Sequence, residues 1–163
     1  MTDDKKTGLI IGKFAPLHRG HRFLIESALE KVDHLIVLVY DVPELTNVPV
    51  EVRMGWVNKL YPEAEVVNAG IGPQEMGNTP EINQLHIDYA KSKLPLDVKI
   101  DFVFSSEDYG KFLAEALGAE NIVVDKARMK VPVSAGKVRE DLEKYKEYLE
   151  DFVLEDVIKY DSI

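Results

Sequence analysis

A chain of 163 residues, 45% hydrophobic and 30% charged, has the size and make-up of a single globular domain with one core. It contains no cysteine, which excludes disulfides and thiolate metal sites and suits a reducing cytoplasm. The net charge of −9 argues against a nucleic-acid or anionic-membrane surface taken as a whole. The longest apolar run, "LIVLVY", is far too short to span a bilayer, and "MTDDKKTG" lacks the apolar core of a signal peptide.

Along the chain, strand-like and helix-like segments alternate. "TGLIIGKF" is a short apolar run ending at Gly12 and predicts a buried strand. Phe23, Leu24, Ala28 and Leu29 recur at helical spacing and predict a helix from His18 to Val32. "HLIVLVYD" predicts a second buried strand, and the segment from Pro49 to Pro62 a helix opened by one proline and closed by another. "AEVVNAG" reads as a third strand, "IGPQEMGNTP" as a loop, and "EINQLHIDYAKSKL" as a helix stopped by Pro95. "VKIDFVFSS" is a fourth strand, "DYGKFLAEALG" a helix with a terminal glycine, and "NIVVD" a fifth strand. After a basic loop, one long amphipathic helix is predicted from Ser134 to Phe152 or Val153. Tyr145, Tyr148, Phe152 and Val153 on it pack on the sheet or form a subunit contact, and core packing is the reading preferred. The alternation predicts a single α/β domain over residues 1–163, with residues 1–6 flexible and a parallel five-stranded sheet covered by helices on both faces. Ligands of such sheets bind at the carboxyl ends of the strands, which here bear Lys13 to His21, Ser105 to Asp108 and Asp125 to Arg139.

Charge is distributed unevenly. From Lys5 to Ile25 there are five Lys/Arg and two of the four histidines without one acid, and from Lys126 to Arg139 five more Lys/Arg, again without an acid. Those windows hold half of the 20 basic residues, so the rest carries 29 acids against 10 bases. Cations at a helix N-terminus cost a few tenths of a kcal/mol each, up to roughly one. The first helix nevertheless opens with His18, Arg19, His21 and Arg22, and the last places Lys137 and Arg139 behind the natural N-cap Ser134. A bound polyanion reverses the sign of that penalty. Gly20 allows close approach of backbone or ligand between the two histidines.

The segment "GKFAPLHRGH" resembles the Gly-x-Phe-x-Pro-x-His-x-Gly-His signature of nucleotidyltransferases. The basic residue before the Phe is similar to the NadR and archaeal branch of nicotinamide mononucleotide adenylyltransferases. "VPVEVRMGWV", "FVFSSED" and "VVDKARMKVPVSAGKVRED" resemble later segments of that branch, so the likeness runs over nearly the whole chain. It implies a Rossmann-like (HUP-type) fold and transfer of AMP from ATP to nicotinamide mononucleotide, giving NAD and pyrophosphate without a covalent intermediate. By resemblance, His18, His21, Lys13 and Arg139 are the catalytic group. Gly12, Phe14, Gly20, Ser105, Asp125, Arg128, Ser134 and Arg139 bind ATP and its phosphates, and Arg53 and His86 face the acceptor. No protein-held metal is implied; Mg²⁺ comes held mainly by the ATP phosphates. The implied partners are ATP and a mononucleotide, with neither nucleic acid nor membrane, in a family whose members often form homo-oligomers. Two residues depart from the branch: Gly136 stands where a threonine is common, and His86 where a tryptophan usually stacks on nicotinamide. Those departures keep two alternatives open: another phosphomonoester acceptor (flavin mononucleotide or phosphopantetheine) or CTP as donor, and a non-catalytic nucleotide sensor.

Overall fold

The computed structural model describes residues 5–74, 79–95, 97–105, 109–124 and 131–161. Five strands form one parallel sheet: β1 (Thr7–Gly12), β2 (His34–Asp41), β3 (Glu65–Ile71), β4 (Phe102–Ser105) and β5 (Glu120–Val123). Their order is β3-β2-β1-β4-β5, so the chain reverses direction across the sheet between β1 and β4. This is the parallel five-stranded sheet the alternation predicts and the Rossmann-like arrangement the resemblance implies. Leu35 to Val39 are fully buried, as a strand covered on both faces requires.

Four helices connect the strands: α1 (Arg19–Lys31), α2 (Val50–Leu60), α3 (Pro80–Ser92) and α4 (Tyr109–Leu117). On one face, α1 and α2 pack with the C-terminal segments over Ile10, Leu35, Val37, Val39 and Phe104. On the other, α3 and α4 pack over Leu9, Ile36, Leu38, Ala69 and Val103. Trp56, the only tryptophan, is 2% exposed in the first core, with its indole N–H donated to Asp156 at 2.7 Å.

Three expectations change. β4 begins at Phe102 rather than Val98, because β1 starts at Thr7 and the register sets Gly8 against Phe102. Just before it, Asp101 ties the frame together outside the ladder: its N–H donates to the Thr7 carbonyl, its carboxylate accepts from the Thr7 N–H and its carbonyl from the Glu120 N–H, each at 2.9 Å. The tail is not one helix: α5 (Ala135–Glu140), α6 (Leu142–Tyr145), a 3₁₀ turn (Lys146–Tyr148) and α7 (Asp151–Asp161) follow one another. Asp141 leaves helical geometry (φ −147°, ψ 78°), and its carboxylate accepts from the Lys144 N–H, a cap that stops one helix and starts the next. The broken tail carries Val138, Leu149, Val153 and Val157 into one core. At the other end, the Lys6 N–H donates to Asp33, and its carbonyl accepts from Asp33 and His34, so the frame begins before Thr7.

Candidate active site

The crevice beyond the carboxyl ends of β1 and β4 is where a sheet of this order binds ligands. Its floor is the turn from Lys13 to His18. Phe14 is 1% exposed and has φ +50°, a left-handed conformation that costs a bulky residue about 1–3 kcal/mol. The Phe14 ring folds back over the strand end, so a Cβ at Gly12 would lie 2.9 Å from it; only glycine fits there. The Ala15–Pro16 peptide bond is cis.

Arginines hold this turn from two sides. Arg139 of α5 donates to the Ala15 carbonyl at 2.7 Å, which joins the two basic windows in space. Arg53 of α2 donates to the Lys13 carbonyl. The resemblance places Arg53 against the acceptor; in the structure its side chain is 0% exposed and donates to backbone of three segments. Burial lowers its pKa from the usual value, and the charge of Asp41 opposes that shift.

The two histidines occupy the start of α1 in an unforeseen way. His18 is the N-cap, with Nδ1 accepting from Gly20 N–H at 2.9 Å and His21 N–H at 3.3 Å. The His21 Nδ1 accepts from His18 N–H at 3.1 Å, completing a capping box built of imidazoles. A nitrogen that accepts carries no proton, so both neutral rings bear their N–H on Nε2. The rings stack at 3.8 Å and 23°, and His21 meets the Phe14 ring edge-on at 4.8 Å. Two cations at that spacing would repel, which agrees with neutral rings. This corrects the picture of a cationic helix start with open amides: three backbone donors are already taken. The His18 ring is 2% exposed and His21 half-buried, so the pair lies beneath the surface of the helix start, with Nε2 as the second polar atom of each ring.

Lys13 and Arg19 are exposed beside the pair. Arg22 points elsewhere: Nε donates to the Tyr61 hydroxyl at 3.1 Å, Nη1 to Glu150 and Nη2 to Glu26 at 3.2 Å, tying α1 to α2 and the segment before α7. Ser134 caps α5, accepting from Lys137 N–H at 3.3 Å, and Arg139 stands exposed one turn later. Ser105 ends β4 half-buried. A Cβ at Gly110 would lie 2.5 Å from its Oγ, so that glycine lets α4 close on the strand end. Asn121 of β5 lies beside it, its Oδ1 buried without a partner among the described residues. His86 is half-buried on α3, the opposite sheet face from α2. Asp125 and Arg128, and the segment from Glu107 to Asp108, lie outside the described residues.

The cytidylyltransferase-like family matches residues 9–140, from β1 through α5. The chain belongs to that family. Among its relatives is the trifunctional NAD biosynthesis/regulator protein NadR of Salmonella typhimurium, 27% identical over 164 residues, which cover 89% of this chain and 39% of that protein. The Escherichia coli protein of the same description is also 27% identical. The chain therefore spans about two-fifths (39%) of the length of these relatives. A NadR protein solved with NAD and AMP-PNP superposes with a TM-score of 0.60 at 20% identity, over 88% of this chain and 44% of the other. A bifunctional NMN adenylyltransferase/ADP ribose pyrophosphatase from Francisella tularensis gives 0.63 at 15% identity, over 89% and 45%. At those identities the superpositions establish a shared fold. The cytidylyltransferase-like chain is thus a nucleotidyltransferase relative with distant similarity to NadR, as "GKFAPLHRGH" suggests.

Proposed function

We propose that the protein transfers AMP from ATP to nicotinamide mononucleotide. A 5′-phosphate oxygen of the acceptor attacks the α-phosphorus in line and forms the new P–O bond. The bond to the bridging oxygen breaks, and pyrophosphate leaves with that electron pair. The observation that supports this reading most is the stacked His18–His21 pair, whose Nδ1 atoms are both engaged by backbone N–H groups. Two Nε2–H donors in fixed orientation suit oxygens of a phosphate that gains charge during displacement. Lys13, Arg139 and Ser134 add positive charge and a hydroxyl for the leaving pyrophosphate, with Arg128 as a further candidate. Gly12, Phe14 and Gly20 shape the backbone around them, and Ser105 and Asp125 border the nucleoside.

The chain has no cysteine to serve as a nucleophile, and in this reading catalysis rests on positioning and charge stabilisation rather than a covalent intermediate. Mg²⁺ in this reading arrives as Mg·ATP, held by the phosphates and water. There it neutralises charge on the triphosphate.

The test is pyrophosphate release from Mg·ATP with nicotinamide mononucleotide, with NAD followed chromatographically. NAD at enzyme-like rates supports the reading; pyrophosphate release only with another phosphomonoester or with CTP replaces it. One residue favours that second reading: His86 stands at the branch's tryptophan position, and the chain's single tryptophan is in the core. No turnover with any pair, together with tight nucleotide binding, would instead indicate a sensor.

A further inference from the structure

Four of the five N–H groups of Arg53 are committed within the protein: Nε to the Val48 carbonyl at 3.2 Å, Nη1 to the Lys13 and Tyr40 carbonyls, the latter at 2.8 Å, and Nη2 to Asp41 Oδ1 at 3.4 Å. Its acceptors come from the turn after β1, the end of β2 and the loop leading into α2. With 0% exposure, the guanidinium offers no face to a ligand. Its contact with Lys13 nevertheless bears on the crevice. The Lys13–Phe14 peptide is trans, since Ala15–Pro16 is the cis bond of this turn. In a trans peptide the N–H points opposite to the C=O. With the Lys13 carbonyl turned in to Arg53, the Phe14 N–H is turned the other way. The same peptide enters the left-handed Phe14, so without the guanidinium it would gain two reasons to rotate: a part-buried carbonyl that has lost its donor and a strained φ.

We propose that Arg53 is a positioning residue for phosphoryl chemistry at this site: by holding the Lys13 carbonyl it fixes the Phe14 N–H as a donor to the bound phosphates, without touching substrate itself. The turnover readout rests on the adenylyl-transfer reading above; the spectroscopic readout does not. Arg53→Met and Arg53→Lys are compared with the parent protein by Tm, by kcat and acceptor KM, and by the ¹⁵N–¹H resonance of Phe14 during titration with inorganic triphosphate. In the parent, triphosphate shifts the Phe14 amide strongly. In folded Arg53→Met that shift is lost and kcat falls about 100-fold or more, while acceptor KM stays within about threefold. Arg53→Lys recovers only part of kcat, because one ammonium cannot serve four acceptors. A tenfold or larger rise in acceptor KM with kcat retained, or unchanged kcat in a folded Arg53→Met, overturns the proposal. So does a parent Phe14 amide that ignores triphosphate, a result that needs no variant to fold. A parent that makes no NAD removes the proposed reaction but leaves the amide measurement able to decide the role of Arg53.

Discussion

His18 does two jobs with two nitrogens, and a substitution can separate them. Nδ1 caps α1, while Nε2 carries the proton assigned to phosphate. Asparagine is among the best N-cap residues but lacks the second donor at that reach. His18→Asn is therefore expected to keep Tm within a few degrees while lowering turnover by about two orders of magnitude or more. His18→Leu loses the cap as well, at about 1 kcal/mol of stability. Equal turnover in His18→Asn and the parent would remove the histidine pair from the mechanism. Tyr61 gives a second residue-scale test. Burial, then the hydrogen bond to Glu26, raise its phenol pKa, with Arg22 opposing. A raised folded pKa means the neutral phenol stabilises the fold below the ordinary tyrosine pKa, and that contribution is lost as pH rises through the folded value. Ultraviolet titration above pH ~10 should show a late-ionising phenol that disappears in Tyr61→Phe, and the same substitution should flatten the loss of stability at alkaline pH.

At the scale of elements, the C-terminal segments are held by few, specific contacts. Trp56 N–H to Asp156 and Arg22 to Glu150 fasten α7 and the segment before it to α2 and α1, with Val153 and Val157 in the core. Asp156→Ala leaves a buried indole N–H unpaired, which costs roughly 1–3 kcal/mol. For a chain of this size that lowers Tm by about 3–10 °C. The only tryptophan reports it directly, its emission moving to the red as α7 loosens; unchanged emission and Tm would mean the bond contributes nothing. The same elements show why the order and type of elements from β1 to β5 were legible, though not the start of β4, and why the tail was not. Apolar period and Gly/Pro punctuation mark a strand or helix locally. Whether Asp141 interrupts a helix or rides on its surface depends on what Val138 and Leu149 can reach on the sheet.

Over the whole molecule negative charge dominates, with a net charge of −9. Long-range forces therefore repel a nucleotide, and under the proposed reading its capture depends on short-range contact with Lys13, Arg19, Lys137 and Arg139. Salt screens exposed charges beyond about 8–10 Å, so raising ionic strength weakens both terms. Because the local charges lie closest to the triphosphate, Mg·ATP affinity should fall severalfold from tens to hundreds of millimolar NaCl, as calorimetry would show. A rise instead would mean the global repulsion dominates.

By itself the sequence determined that strands and helices alternate from β1 to β5, and that it holds two acid-free basic windows, the first of which contains a phosphate-type motif. Those properties are written in local period, punctuation and residue type. Only the tertiary structure decided what each charge is for. It turned Arg22 toward Tyr61 and Glu150, buried Arg53 among backbone carbonyls, and set Arg139 on the carbonyl of Ala15. It also fixed which nitrogen of each histidine keeps its proton. A side chain's partner lies far away along the chain, 124 residues away in the case of Arg139 and Ala15. Burial and hydrogen bonding act on that spatial neighbour, which no window of sequence contains.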